Sequence, residues 1–253
     1  MKNTSISWTN STQNFWMGCS KVSSGCVNCY MFRDAERYGR DPNQVQRVSD
    51  KTFYQALKWK DPRMIFCNSW SDYFHSEADE WRDDAWGVIK QTQQHHWQVL
   101  TKRIERVKYH LPLDWDNGYP NVWLGVSVEN QFCLDRVEEL ARIPAWTRFI
   151  SFEPLLGSID LSSLADQGVM SQIHWAIVGA ESGNETGKYL YRPCEIQWME
   201  DLVDQLQKLG IKVFVKQLGT YQAKKLGLRD RMGATLEQWP SSLNHLKIQE
   251  FPV

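Results

Sequence analysis

Three cysteines, Cys19, Cys26 and Cys29, fall within the stretch GCSKVSSGCVNCYMF (18–32). Their spacing is C-x6-C-x2-C. Thiolates clustered in this way bind metals, and Gly25 permits the tight turn that would aim Cys26 and Cys29 at one centre. Three readings fit the residues. Structural zinc requires four ligands in a closed tetrahedron. His75 or Cys67 would have to be the fourth, yet neither has a C-x2-C or H-x3-H companion. Three packed thiols without a metal sit poorly in a polar, serine-rich loop. A [4Fe–4S] cluster on three thiolates leaves one iron free for a chelating small molecule.

A loop of this kind must be positioned by the fold. Six short, apolar, β-rich runs recur at 63–72, 97–103, 122–129, 148–154, 175–183 and 212–219. They start 25 to 37 residues apart, the length of a strand, a crossover helix and two loops. Continuous apolar runs suit strands buried on both faces. Helical stripes lie between them. Trp81, Ala85, Val88, Ile89 and Thr92 form one, with Ser76 and Asp79 as a capping box. Cys133, Val137, Leu140 and Ala141 form another after an N-cap at Asn130, and Cys133 reads as a small core residue. Ile196 to Leu209 carries the clearest stripe, stopped by Gly210, and a short helix fits 161–166.

With a further strand near SISWT (5–9), the pattern predicts about seven parallel strands with outer helices. That is a full or partial (β/α) barrel or an open doubly wound sheet. No Gly-rich phosphate loop follows the first strand, which disfavours a dinucleotide-binding sheet. Residues 1–219 form the predicted barrel. Residues 220–253 read as an appendage, part of the same domain or a cap.

In parallel barrels the active site is built at the carboxyl ends of the strands. Those ends carry Asn68, Ser69 and Asp72; Thr101, Lys102 and Arg103; Ser127 and Glu129; Ser151 and Glu153; Glu181 and Ser182; Lys216 and Gln217. Strand ends are polar wherever chains exit into water, but an Asp or Glu at four of the six exceeds that expectation. The cysteine loop would join the same rim.

The chain has 253 residues, a net charge of −1, six cysteines and thirteen tryptophans. The charge balance lacks the broad excess of base expected for duplex nucleic acid. Lys224, Lys225, Arg229 and Arg231 cluster near the C-terminus and read as a solvated face. Most tryptophans should be core, with a few free to stack on a flat ligand. No apolar run is long enough to span a membrane, and the start has no secretory pattern. A cytoplasmic protein with free or metal-bound cysteines is expected.

WTNSTQNFWMGCSKVSSGCVNCY, FCNSWSDYFH, QVLTKR, NVWLGVSVEN, RFISFEPLLGSIDL, WAIVGAESG and FVKQLG together resemble the phage and prophage family of three-cysteine proteins related to radical S-adenosylmethionine (SAM) enzymes. The resemblance runs from about Ser5 to about Gly219 and implies a partial (β/α) barrel of radical SAM type. It further implies that Cys19, Cys26 and Cys29 each hold one iron of a [4Fe–4S] cluster. SAM chelates the fourth iron and is cleaved reductively, with electrons from a flavodoxin or ferredoxin type of reductant. In that frame Ser69, Asp72, Ser127, Glu129 and Glu153 form the SAM wall, while Lys102, Glu181 and Lys216 face a substrate. Glu129 and Glu153 would accept hydrogen bonds from a ribose or an ammonium, or else pair with cations inside the barrel. The substrate is expected to be a nucleobase, nucleotide or nucleic acid.

Two departures stand out. The superfamily's common spacing is C-x3-C-x2-C, with an aromatic before the third cysteine, where this chain has Asn28. The Gly-Gly-Glu motif at the second strand is replaced by NSWSD, and GAES (179–182) lies near the sixth. The alternative is a zinc- or cluster-stabilised binding protein of a phage or mobile-element system, without turnover.

Overall fold

Residues 1–252 are described by a computed structural model. All six apolar runs form strands, and a shorter one precedes them. The strands are β1 (Ser11–Gln13), β2 (Met64–Cys67), β3 (His96–Thr101), β4 (Val122–Ser127), β5 (Thr147–Phe152), β6 (Trp175–Gly179) and β7 (Lys212–Gln217). Every neighbouring pair is parallel, and spatial order follows chain order from β1 to β7. The outer strands do not pair with each other, so the sheet is a curled half-barrel with helices around it. The predicted barrel is therefore the partial one.

Alternation along each strand splits the core in two. One face carries Ile65, Val99, Leu124, Val126, Ile150 and Val178, which pack against the helices. Those helices include α2 (Asp79–Gln91), α3 (Asp135–Arg142) and α4 (Ile196–Lys208), whereas α1 (Tyr30–Arg37) buries Met31, Phe32 and Ala35 in a small cluster beside the cysteine loop and α5 (Gly219–Lys225) follows β7. The concave face carries Phe66, Trp123, Phe149, Trp175, Ile177 and Phe214, packed with Trp8. Toward the carboxyl ends the same face turns polar, because Lys102, Ser127, Ser151 and Lys216 continue its alternation. Nine of the thirteen tryptophans are buried, so this composition serves packing first.

Two local expectations are corrected. The first strand is Ser11–Gln13 and not SISWT. Trp8 plugs the amino end of the half-barrel against Phe66 and Trp175, with ring centroids at 4.6 and 6.2 Å. Placing it there requires a turn, closed by Thr9 N–H on the Ile6 carbonyl at 3.3 Å. The Ser76–Asp79 capping box is not formed. His75 Nδ1 accepts from Glu77 N–H instead, and Asp79 is drawn to the guanidiniums of Arg82 and Arg106. The other signals hold. Asn130 accepts from Phe132 N–H at 3.0 Å, Gly210 follows α4 at φ +73°, and a helix covers Ser162–Asp166.

The C-terminal segment packs on the free side of β7. Ile248 accepts from Val215 N–H at 2.8 Å, and Glu250 N–H donates to Val213 at 2.9 Å. Trp239, Leu243 and Leu246 enter the main core. Among the described residues no helix is long and apolar enough to cross a membrane.

Candidate metal-loop site at the barrel mouth

The cysteine loop connects β1 to α1 across the carboxyl ends of the strands. It opens at Gly18, at φ +95°, where a Cβ would stand 2.2 Å from the Gln44 carbonyl oxygen. It closes at Cys29, the N-cap of α1. Between these points three rim carboxylates hold it.

Asp72 acts through Arg103. Its Oδ1 accepts from Thr101 Oγ1 at 2.7 Å, and its Oδ2 accepts from Lys102 N–H at 3.0 Å. Arg103 Nη1 lies 3.1 Å from Asp72 Oδ2. The same guanidinium donates to the Ser20 carbonyl at 2.8 Å, to Ser20 Oγ at 2.9 Å and to Cys19 Sγ at 3.7 Å. Glu129 holds the middle of the loop directly. Its Oε1 accepts from Ser23 Oγ and from Gly25 N–H, the latter at 3.1 Å, and its Oε2 pairs with Arg136 at 2.9 Å. Glu181 holds the end. Its Oε2 accepts from Asn28 Nδ2 at 3.1 Å and from Arg192 Nε at 2.9 Å. Arg192 Nη1 reaches on to the Ser24 carbonyl at 3.0 Å.

These contacts sort the predicted site residues. Asp72, Glu129 and Glu181 each support the loop. Lys102, Glu153 and Lys216 face the mouth. Glu153 and Lys216 pair with each other and stay partly exposed, and Lys102 has no side-chain partner among the described residues. Ser127 and Ser151 are buried side by side on the concave face. Ser69 hydrogen-bonds Asn14 Nδ2 through Oγ at 3.4 Å, and its carbonyl accepts from Tyr30 O–H at 2.6 Å. Tyr30 thereby spans from the cysteine loop to the end of β2. Asn68 sits at φ +53°, and its Nδ2 is buried without a partner among the described residues.

Arg136 and Arg192 carry no signal in the sequence, and Arg103 shows only its place at a strand end. Each is an isolated arginine whose partner is fixed only by the fold. The one signal available was the TKR ending of a strand.

The electrostatics follow from this packing. Burial pushes the Cys19 thiol up to about 12, reinforced by Asp72 and opposed by Arg103. Burial also raises Cys29. Glu129 is pushed up by burial, yet Lys102, Ser23, Arg136 and Gly25 N–H outweigh that and hold it below the usual carboxylate range. Lys102 therefore lies within electrostatic reach of both Glu129 and Cys29.

The sequence from residue 3 to residue 245 matches a family described as protein of unknown function (DUF5131). The chain belongs to that family. No curated protein and no solved structure matches it. In this DUF5131 chain the loop, its three anchors and the mouth all lie within the matched span.

The donor set bears on which metal group it suits. All six cysteines are free. Among the described residues no three His, Cys, Asp or Glu side chains are grouped to hold a metal ion. A closed zinc site would draw its sulfurs in to about 2.3 Å from one point. The candidates for a fourth ligand are engaged elsewhere. Cys67 faces the helix-side core, and His75 is buried with Nε2 3.0 Å from Ser20 Oγ and Nδ1 on Glu77 N–H. Of the three loop thiols, Cys19 accepts from Arg103 at 3.7 Å and Cys26 lies 3.9 Å from Ser23 Oγ.

A groove of about 510 Å3 lies between the cysteine loop and residues 187–190, lined by Lys21, Asn28, Phe32, Lys188, Tyr189 and Leu190, among others. A second groove, of about 610 Å3, runs between α2 and residues 109–114 and shares no lining residue with the loop.

Proposed function

We propose that this protein is a radical SAM enzyme whose [4Fe–4S] cluster is held by Cys19, Cys26 and Cys29. The observation that carries the reading is the three-cysteine loop, fastened by Asp72, Glu129 and Glu181 across the mouth of a seven-stranded half-barrel. Bound there, the cluster with SAM on its free iron would supply reductive cleavage of the sulfonium and so start radical chemistry.

The chain's own residues do the rest. The three carboxylates fix the loop by hydrogen bonds from Arg103, Ser23, Gly25 and Asn28. Glu153 and Lys216 offer one acceptor and one donor at the mouth, suited to orienting a ligand that carries both kinds of polar group. Lys102 adds positive charge within electrostatic reach of Cys29. The aromatic floor of Phe66, Trp123, Phe149 and Trp175 excludes water below. Exposed Tyr30 and Tyr38, the latter stacked near Trp70 at 6.4 Å, support a flat substrate such as a nucleobase, nucleotide or nucleic acid. The buried tryptophans lend that class no support. A flavodoxin or ferredoxin type of reductant and a reducing, cytoplasmic setting belong to the same proposal, in keeping with six free cysteines.

A second reading is a metal-stabilised binding protein without turnover. It is favoured by the use of three rim carboxylates as fasteners. Anaerobic reconstitution separates the two. The enzyme should take up about four irons per chain, show a visible band that dithionite bleaches, and release 5′-deoxyadenosine from SAM. Cys26→Ala should lose all three. One retained zinc with intact SAM would establish the second reading.

A further inference from the structure

The chain after β6 folds back over the cysteine loop as a strap, residues 183–190. At Gly183 a Cβ would stand 2.7 Å from the backbone of Tyr189, Leu190 and Tyr191, so the turn admits no side chain there. Asn184 closes it. Its N–H donates to the Tyr189 carbonyl at 2.8 Å, and its Nδ2 donates to the Lys188 carbonyl at 3.0 Å. Tyr189 itself lies at φ +59°, a left-handed backbone that is costly for a residue with a Cβ and that recurs at ligand clamps. Contacts on α1 hold it there. Its ring packs on the cluster of Met31, Phe32 and Ala35, its hydroxyl donates to Glu36 Oε1 at 2.5 Å, and Lys188 lies 3.5 Å from the same carboxylate.

Between the strap and the loop runs the groove of about 510 Å3, a volume in the range of small-molecule sites. Its lining combines an apolar side with a positive one. Val27 and Leu190, 50% and 41% exposed, join the Tyr189 ring on the apolar side. Lys21 and Lys188 supply the charge, against one carboxylate, Glu36, which Tyr189 and Lys188 already engage. Lys21 has no carboxylate partner among the described residues. Its ammonium donates to the Val27 carbonyl at 2.8 Å and stands 4.9 and 5.8 Å from the Phe32 and Tyr189 ring centres, so further donors remain for a ligand. A flat ring that carries a phosphate complements this lining at both ends. We propose that the groove binds a mononucleotide, its phosphate on Lys21 and Lys188 and its base against Tyr189, with the strap holding that ring in place. The inference rests on the nucleotide part of the proposed function and gives that ligand a site, but the binding needs neither a metal nor SAM.

The test is isothermal titration calorimetry of the reduced, full-length protein with adenosine monophosphate, adenosine and inorganic phosphate. The monophosphate should bind more tightly than adenosine or phosphate alone. Lys21→Met should weaken the monophosphate about tenfold or more, the range for losing a charged hydrogen bond, and leave adenosine unchanged. Lys188→Met, at a side chain 78% exposed, should act in the same direction and serves where Lys21→Met does not fold. Tyr189→Asn keeps the left-handed backbone, which asparagine tolerates, and removes the ring. Adenosine and its monophosphate should then both weaken about 5- to 150-fold, the range for losing one base–aromatic stack. Lys90→Met lies in the other groove and should titrate as wild type. Wild-type affinity in the Lys21 and Lys188 variants overturns the proposal, as does phosphate that binds as tightly as the monophosphate. A 5′-phosphorylated oligonucleotide that binds more tightly than the monophosphate overturns a free nucleotide as the occupant and assigns the groove to a strand end. A wild-type protein that binds no monophosphate at millimolar concentration overturns this inference alone. Binding intact in a protein that takes up no iron and leaves SAM whole overturns the functional reading alone.

Discussion

Glu129, expected in the SAM wall or paired with a cation inside the barrel, is an anchor of the cysteine loop in the fold. It is fully buried, yet it stays charged because Ser23, Gly25 and Arg136 compensate it. Its folded pKa is below the ordinary carboxylate value. The stability it contributes is therefore complete above its unfolded pKa, about 4.3, and is lost as pH falls through the lower folded value. Glu129→Gln should cost about 3–5 kcal/mol at neutral pH, the range for breaking a buried pair from one side. Urea unfolding of the metal-free, reduced protein would measure this, and the gap to wild type should narrow below about pH 4. Equal stabilities at neutral pH would show that the carboxylate is not an anchor. The same logic divides the residues expected to face substrate. Glu181→Gln frees Asn28 and weakens the grip on Arg192, so it should lower iron content. Lys216→Met and Lys102→Met should keep the iron and lose SAM cleavage. Iron retained in full by Glu181→Gln would return Glu181 to the mouth.

At the scale of elements, the strands were legible and their anchoring was not. Six apolar runs gave six strands because a fully buried parallel strand leaves a continuous hydrophobic signature. The first strand is only three residues long and reads Ser-Thr-Gln, so it carries no such signature, while the apolar Ile6 and Trp8 beside it serve the barrel floor. The rim residues were found because carboxyl ends of strands converge. Their roles were hidden because Arg136 and Arg192 come from elements whose approach only the fold decides. Two glycines mark close approaches with different consequences. A Cβ on Gly125 in β4 would lie 2.5 Å from the Phe149 ring, and one on Gly25 would lie 3.0 Å from the Glu129 carboxylate. Gly125→Ala overpacks the concave core and should destabilise the fold by about 1–3 kcal/mol. Gly25→Ala presses on the loop alone, so its expected effect is faster cluster loss with little change in the unfolding midpoint. Denaturant titration beside chelator kinetics tells the two apart, and an unchanged midpoint for Gly125→Ala would contradict the packing described.

A half-barrel has an exposure problem that a closed barrel lacks, because an unpaired parallel strand offers its hydrogen bonds to any other chain. The C-terminal segment answers it at β7. Backbone bonds from Val215 and Glu250 tie residues 248–250 to that strand, and Trp175 Nε1 donates to the Glu250 carbonyl at 2.8 Å. Trp239, Leu243 and Leu246 bury themselves in the helix-side core, while Phe251 stacks on Trp175 with centroids 5.5 Å apart. The sequence reads residues 220–253 as an appendage outside the strand–helix repeat; in the fold residues 220–225 belong to α5, and among the described residues only short 3-10 turns at Leu236–Gln238 and Ser241–Leu246 follow. Its integration was not visible because irregular chain has no period to reveal which surface it covers. If the segment is a cap that the barrel needs, ending the chain at residue 238 should remove apolar burial and bare the β7 edge at once. Size-exclusion chromatography should then show association, and the melting temperature should fall. Leu246→Ala isolates the packing part, with an expected loss of about 2–5 kcal/mol and no association, because the edge stays covered. A truncated chain that remained monomeric with wild-type melting would make the tail dispensable and leave the half-barrel stable with an open edge.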